Sequence, residues 1–578
     1  MTRLDDGTSG IGAASDTTTH ASRRLLRVQS SPSRHRPLRR AAVGATAIGA
    51  LLLAACSGGT GTGSEAEGPV EGGTLVYASG DAEPTCLDPH VGGNYPQALV
   101  ATQYLEQLTA LDENREPVPW LAESWELAED GLALDVTVRD DVTFTDGTPL
   151  TSEAVAANIA HLQDPETGSS TGYLALEKVE DVEEVDERTA RIHLSEPDSA
   201  LLENLAMPWL AIQSPAALER GMEENCAAPV GTGPFTVSEW NRQESIVLER
   251  NEEYTSPDPA AENTGPARLE RIEWRFIPEA ATRYSALASG EVHVIDNAQP
   301  DAISRAAEDD AIAHIDAPRP GASNRIELNA GQAPFDDDRV RTAFIRAAAV
   351  DEGIESLFFG TAERSYSALS SIERHVHADP APFGTDLEEA AALLDEAGWT
   401  AGDDGVRTKD GERLTLRFPV STNQSIPAEI SLFEQIQAAV AEAGFDVQIQ
   451  QLDLASWYEA LAKNEYELVS APYTRTGPDV LRVLYHSDGI EPAPSGYFAN
   501  HAQLDDPQLD ELLDEAARTE DETERGQLYR QAQEIILGGH YILPLYDQQN
   551  HFLHRAGLHG VRTLAVSTPT FVDAWLED

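Results

Sequence analysis

Apolar residues recur along this chain with two periods. Leu132, Leu134, Val136 and Val138 alternate with mostly small or polar residues, the period of a half-buried strand. Asp140-Asp141 and Asp146-Gly147 bracket a second short strand carrying Val142 and Phe144. Pro149 then leads to Thr151, a good N-cap, with Glu153 in the first helical turn where the helix dipole favours an anion. The alternation returns at Ala190, Ile192 and Leu194, at Ile272, Trp274 and Phe276, at Leu414, Leu416 and Phe418, and at Phe445, Val447 and Ile449. The helical period appears in Val340, Ala343, Phe344, Ala347 and Ala348, one face of a helix opened by Asp336, Asp337 and Asp338. Leu387, Ala390, Ala391 and Leu394 repeat it, with Gly398 as the residue that ends the helix. Leu432, Ile436, Ala439 and Val440 form another such face, between the strands at 414–418 and 445–449. That order predicts a crossover with the two strands parallel. Asp506 caps a further helix, which Pro507 opens.

Composition sets the scale. The 578 residues are ample for two or more lobes with real cores, and 41% hydrophobic residues describe a globular chain. The net charge of −59, from 40 basic and 99 acidic residues, argues against nucleic acid and anionic membrane surfaces as partners. It leaves two readings: a cationic ligand drawn to an acidic cleft, or a solvated acidic coat. Lysine scarcity favours the coat, since only Lys178, Lys409 and Lys463 occur.

The N-terminus has the layout of an export signal. Arg34, Arg36, Arg39 and Arg40 precede an apolar run at 41–55, shorter than the roughly 20 residues of a membrane-spanning helix. It ends Leu53-Ala54-Ala55-Cys56, which resembles the lipobox of bacterial lipoproteins. By that resemblance residues 1–55 are a signal peptide, and Cys56 is the lipid-carrying N-terminus, anchored on the extracytoplasmic face of the cell membrane. Arg23-Arg24 and Arg39-Arg40 leave the twin-arginine route open beside the general one. Without residues 1–55 the chain has 32 basic and 96 acidic residues, a net −64. Residues 56–72, rich in Gly, Ser, Thr and Glu, read as a flexible tether. Cys86 and Cys226 remain; an oxidising exterior suggests that they form a disulfide, a free buried pair being the alternative.

Beyond periodicity, the order of residues carries a resemblance. The run Leu121-Ala122-Glu123-Ser124-Trp125-Glu126, continuing through Asp130-Gly131 to Val142-Thr143-Phe144-Thr145-Asp146-Gly147, resembles the signature of the family-5 extracellular solute-binding proteins. Leu87-Asp88-Pro89, Pro229-Val230-Gly231-Thr232-Gly233-Pro234-Phe235 and Pro334-Phe335-Asp336-Asp337-Asp338 are similar to further motifs of that family. The resemblance implies an α/β fold of the two-lobed type 2 periplasmic-binding-protein kind. Lobe I spans 73–325 with an extra subdomain at about 112–225, lobe II spans 326–546, and 547–578 returns to lobe I. It implies no enzyme and no cofactor. It implies a monomer that captures peptides or peptide-like solutes and delivers them to ABC transporter permease subunits. A metal chelate or another anionic small molecule is the alternative solute; an extracytoplasmic hydrolase is the alternative of another class.

The site it implies centres on Tyr473, Thr474, Arg475 and Thr476, with Asn94, Tyr95 and Tyr366 completing the expected ligand-binding set. Where peptide-binding relatives place an Asp for the ligand's α-ammonium, this chain has Thr476 beside Arg475. A neutral hydroxyl cannot neutralise an ammonium, so either another acid acts or the solute is not a free peptide. Arg475 is then a candidate partner for a carboxylate or phosphate, or else forms a salt bridge within its own lobe. Other motifs carry little. Gly168-Ser169-Ser170-Thr171-Gly172 follows a loop, where a nucleophile elbow needs a strand. His375 with His377, and His551 with His554, have no third ligand beside them in sequence. His293 reads as a strand residue.

Overall fold

The computed structural model describes residues 68–577 apart from Ser256, Ala471 and Pro494. Cys56, the signal peptide and most of the tether lie outside the described residues. Among the described residues no helix is long and apolar enough to cross a membrane.

Two sheets organise two lobes. The first has seven strands in the order Ile312–Pro318, Gln549–Arg555, Val294–Ile295, Thr74–Ser79, Arg271–Phe276, Ser245–Arg250, Phe235–Asn241. Thr74–Ser79 runs parallel to both neighbours, and the Tyr77 and Trp274 rings, in register across one pair, stack with centroids 3.7 Å apart. In the second lobe Asn324–Leu328 lies between Leu468–Ser470 and Ile542–Tyr546, antiparallel to both. Beside it, Thr415–Ser421 and Asp446–Leu452 pair in parallel, with helix Pro427–Ala441 between them in sequence. Phe344, from helix Asp338–Ala347, packs edge-on against Phe335 and Phe445 in this lobe's core.

The chain passes between the two sheets twice. Pro318 pairs with Gln549 on one side and Asn324 with Tyr546 on the other, so the crossings at 319–323 and 547–548 run side by side. Arg319 N donates to Gln548 O at 2.8 Å within this pair. The strand Asn324–Leu328 lies wholly in the second sheet, so the first crossing precedes residue 325.

A four-stranded antiparallel sheet, ordered Ala122–Leu127, Ala133–Val138, Thr189–Leu194, Val179–Glu184, forms a subdomain with helix Ser152–Gln163. Two local expectations fail there. Val142 and Phe144 form no strand, because only a single bridge, Thr143 to Pro149, closes their turn. Thr151 precedes the helix in extended conformation but makes no side-chain cap bond.

The glycines of the Pro229–Pro234 motif serve close approach. A Cβ at Gly231 would come within 2.2 Å of the Tyr104 carbonyl, and Thr232 Oγ1 donates to buried Glu106 at 2.6 Å. Cys86 and Cys226 are joined by a disulfide that fastens the 81–89 loop to helix Met222–Ala227. Beside it, buried Asp88 accepts from Gln213 Nε2, Asn225 Nδ2, His161 Nε2 and the His90 N–H, at 2.7–2.9 Å. Burial pushes the Asp88 carboxyl up, but His90, His161 and these donors prevail and hold it at about 2.

Candidate functional site

Between the lobes lies a cavity of about 430 Å³, within the range of roughly 300–1,000 Å³ typical of small-molecule sites. Asp81, Asn94, Tyr95, Trp209 and Arg319 line it from the first lobe and its crossing. The second lobe supplies the 422–426 loop, Trp457, Tyr458, Tyr473, Thr474 and Tyr497.

Each wall is held by identifiable local structure. Asn94 caps helix Tyr95–Ala101, and Gln97 Oε1 accepts the Asn94 N–H at 3.0 Å. That leaves the Asn94 side-chain oxygen facing the other lobe, where Tyr458 OH donates to it at 3.0 Å. The Tyr95 hydroxyl donates to the Val566 carbonyl at 3.0 Å and accepts from Asn550 Nδ2, which fixes the ring. Arg319 lies across that ring, 3.7 Å from its centroid, and its Nε donates to Thr474 Oγ1 at 2.8 Å. Gly321, at φ +98°, brings the crossing against the second lobe: a Cβ there would meet the Tyr473 carbonyl at 2.7 Å. Ala322 N donates to the same Tyr473 carbonyl at 3.2 Å, which holds the segment carrying Arg319 against the loop carrying Thr474.

The charges are unequal in their satisfaction. Burial works against the Arg319 cation, and Tyr95, Asp81 and Tyr546 offset it in part. Among the described residues no carboxylate oxygen comes within salt-bridge distance of Arg319, whose acceptor is the neutral Thr474 hydroxyl. Among the described lining residues two are acids. Glu279 is engaged as the cap of helix Ala280–Ser289, accepting from Ala281 N and Thr282 N. Asp81 accepts from Asn297 Nδ2 at 2.7 Å, and burial together with the neighbouring Asp296 carboxylate pushes it up to about 7. No histidine or cysteine lies among the described lining residues.

Of the expected ligand-binding residues, Asn94, Tyr95, Tyr473 and Thr474 line the cavity. Arg475, Thr476 and Tyr366 do not, which corrects the expectation for all three. Arg475 is fully buried and pairs with Asp479 at 3.5 Å, the salt bridge within its own lobe. Thr476 turns inward to donate to the Glu203 carbonyl of the subdomain at 2.7 Å. Tyr366 donates to Asp351 at 3.1 Å and carries Arg364 over its ring, away from the cavity. Arg319 was not among the residues singled out by sequence; its one signal is a lone cation inside Pro318-Arg319-Pro320-Gly321, a rigid segment between two strands.

Two further motifs have hydrogen bonds within the protein. Ser170 and Thr171 line the cavity, but the Ser170 hydroxyl donates to the Gly92 carbonyl and follows no strand. His293 Nδ1 accepts the Val76 N–H at 2.9 Å within the first sheet.

Two lobes linked by paired crossings, with a solute-sized cavity between them, have the layout of a solute receptor. Residues 116–491 match the family model described as bacterial extracellular solute-binding proteins, family 5 Middle, and the chain belongs to that family. It is thereby a solute-binding component of an ABC import system. It is similar to the glutathione-binding protein GsiB of Escherichia coli O1:K1, 29% identical over 85% of this chain and 93% of the relative. The nickel-binding periplasmic protein of E. coli K12 is 27% identical over 79% and 87%. Among solved structures, DppA of Helicobacter pylori in complex with peptide STSA superposes with a TM-score of 0.76 at 24% identity, covering 88% of this chain and 99% of that one. NikA of Brucella suis in complex with Fe(III)-EDTA gives 0.75 at 24% identity, covering 87% and 100%.

Proposed function

We propose that this chain captures a peptide or peptide-like solute bearing a carboxylate between its lobes and passes it to a membrane permease. The observation that carries the reading is Arg319: a cation inside the cavity, seated on an aromatic face, whose fork has, among the described residues, only a hydroxyl for an acceptor. An anionic group would give it a charge-assisted partner. Asp81 lines the same cavity and is the acid available to a solute ammonium, the role that Thr476 cannot fill. Tyr95, Trp457, Tyr458 and Tyr473 offer apolar area with polar tips to the body of the solute. Glutathione, which the GsiB relative is named for binding, has a carboxylate and an ammonium.

A metal chelate is the second reading, favoured by the same cation. With no imidazole or thiolate among the described lining residues, metal would enter through the chelator's carboxylates at Arg319.

We further read the chain as a monomeric binding protein without turnover, tethered through lipid on Cys56 to the extracytoplasmic face of the membrane. Lobe I, ending at the Pro318–Gln549 pair, and lobe II, beginning at the Asn324–Tyr546 pair, close about the two crossings. Mass spectrometry of solute carried through native purification tests the solute class; a neutral or purely cationic ligand would overturn it. Intact mass and membrane fractionation of wild type and Cys56→Ser test the anchor, which fails if the wild type carries no lipid.

A further inference from the structure

The sequence offered His551 and His554 as a pair, but strand alternation sends them to opposite faces of Gln549–Arg555. His551 instead meets the neighbouring edge strand, Ile312–Pro318, where Asp316 lies directly opposite it in register. His314, two residues from Asp316 on the same face, brings its Nε2 to 3.1 Å from His551 Nδ1. Asp316 Oδ1 lies 3.5 Å from the same Nδ1, and all three ligand atoms fall within 4.8 Å of one another. We propose that His314, Asp316 and His551 form a binding site for a borderline divalent transition-metal ion such as Zn²⁺, separate from the solute cavity.

The geometry suits an ion. At metal–ligand distances of about 2.0–2.2 Å, the two nitrogens would subtend roughly 95–100° and the Asp316–His551 pair roughly 110–115°, and the third pair, within 4.8 Å, reaches the same ion after at most a small side-chain adjustment. Two imidazoles and one carboxylate are the donor set of Zn²⁺, Ni²⁺ and Cu²⁺ and not of Mg²⁺ or Ca²⁺. His314 and Asp316 are exposed, so an ion enters from solvent and keeps an open position. The Gln549 amide, with its nitrogen turned inward, donates to Asp316 Oδ1 at 2.9 Å and steadies the carboxylate. The buried group Asp88, His90 and His161 differs: there the His90 and His161 ring nitrogens already face protein partners, including Asp88 and the Ala211 carbonyl. None of the three proposed ligands lines the solute cavity. Both strands lead straight into the crossings, so the ion fastens the first-lobe side of the hinge.

Calorimetric titration of the tag-free full chain with ZnCl₂ tests this, with MgCl₂ as the control. One Zn²⁺ per chain is expected at micromolar affinity or tighter, weakened at least ten-fold in His314→Ala and in His551→Ala and unchanged in Arg319→Ala. Because His551 is partly buried, Cu²⁺ electron paramagnetic resonance on the wild type gives a reading independent of folding, with two imidazole nitrogens expected. A His314→Ala variant that titrates like wild type, or a Cu²⁺ spectrum without two nitrogens, overturns the proposal.

Discussion

The guanidinium of Arg319 rests 3.7 Å from the centroid of the Tyr95 ring, and the two residues approach from different directions in the chain. Tyr95 opens a helix of the first lobe; Arg319 rides the segment that leaves that lobe for the second. Thr474, from the second lobe, completes the group by accepting from Arg319. The cation therefore sits where the two lobes meet, and under the proposed function its stacked fork is held ready for an anion.

Arg475 and Thr476 should govern stability and not solute recognition. Arg475→Ala leaves Asp479 with Arg482 as its remaining close cation. The expected loss is about 3 kcal/mol, the lower end of the range for breaking a buried pair. Thr476→Asp would bury a carboxylate against the Glu203 carbonyl and should destabilise the fold instead of improving peptide binding. Chemical denaturation beside calorimetry separates the effects: lower unfolding midpoints with solute affinity kept within about two-fold.

Closure itself has a readable contact. Tyr458 OH to Asn94 Oδ1, at 3.0 Å, joins the lobes at the cavity wall. Tyr458→Phe removes this bond while keeping the ring. Solute affinity should fall by about 0.5–1.5 kcal/mol, the net range for one neutral hydrogen bond. The stability of the solute-free chain should not change.

Acid sensitivity should track Asp88. Its carboxyl is held at about 2 in the folded chain, against about 3.9 when unfolded, worth about 2–3 kcal/mol. The folded pKa is the lower one, so this stability is complete above pH ~4 and is lost as pH falls toward ~2. Urea midpoints measured between pH 5 and 2 should drop more steeply for wild type than for Asp88→Asn, which starts lower and has no such slope.

Much of the fold was legible because its elements are local. The apolar face of Asp338–Ala347 and the parallel crossover at 415–452 follow from spacing alone. Val142 and Phe144 show the limit: the alternation is present but no neighbouring strand pairs with it. The site was legible in part for the same reason. Tyr473 and Thr474 carry a motif and reach the cavity, whereas the next two side chains turn into the protein toward Asp479 and Glu203. Which residues of a loop face a cleft is decided by partners far away in sequence. Arg319 is the extreme case, since its partners Tyr95 and Thr474 lie in different lobes and only the folded crossings assemble them.

Calorimetry of the co-purified solute on wild type and Arg319→Ala, with folding of both confirmed by thermal melts, tests the account most directly. A hydrogen bond to a charged group contributes about 1.5–3 kcal/mol, so the substitution should weaken binding by roughly 10- to 150-fold. Unchanged affinity in a folded Arg319→Ala would contradict the assignment of Arg319 as the solute's anion receptor.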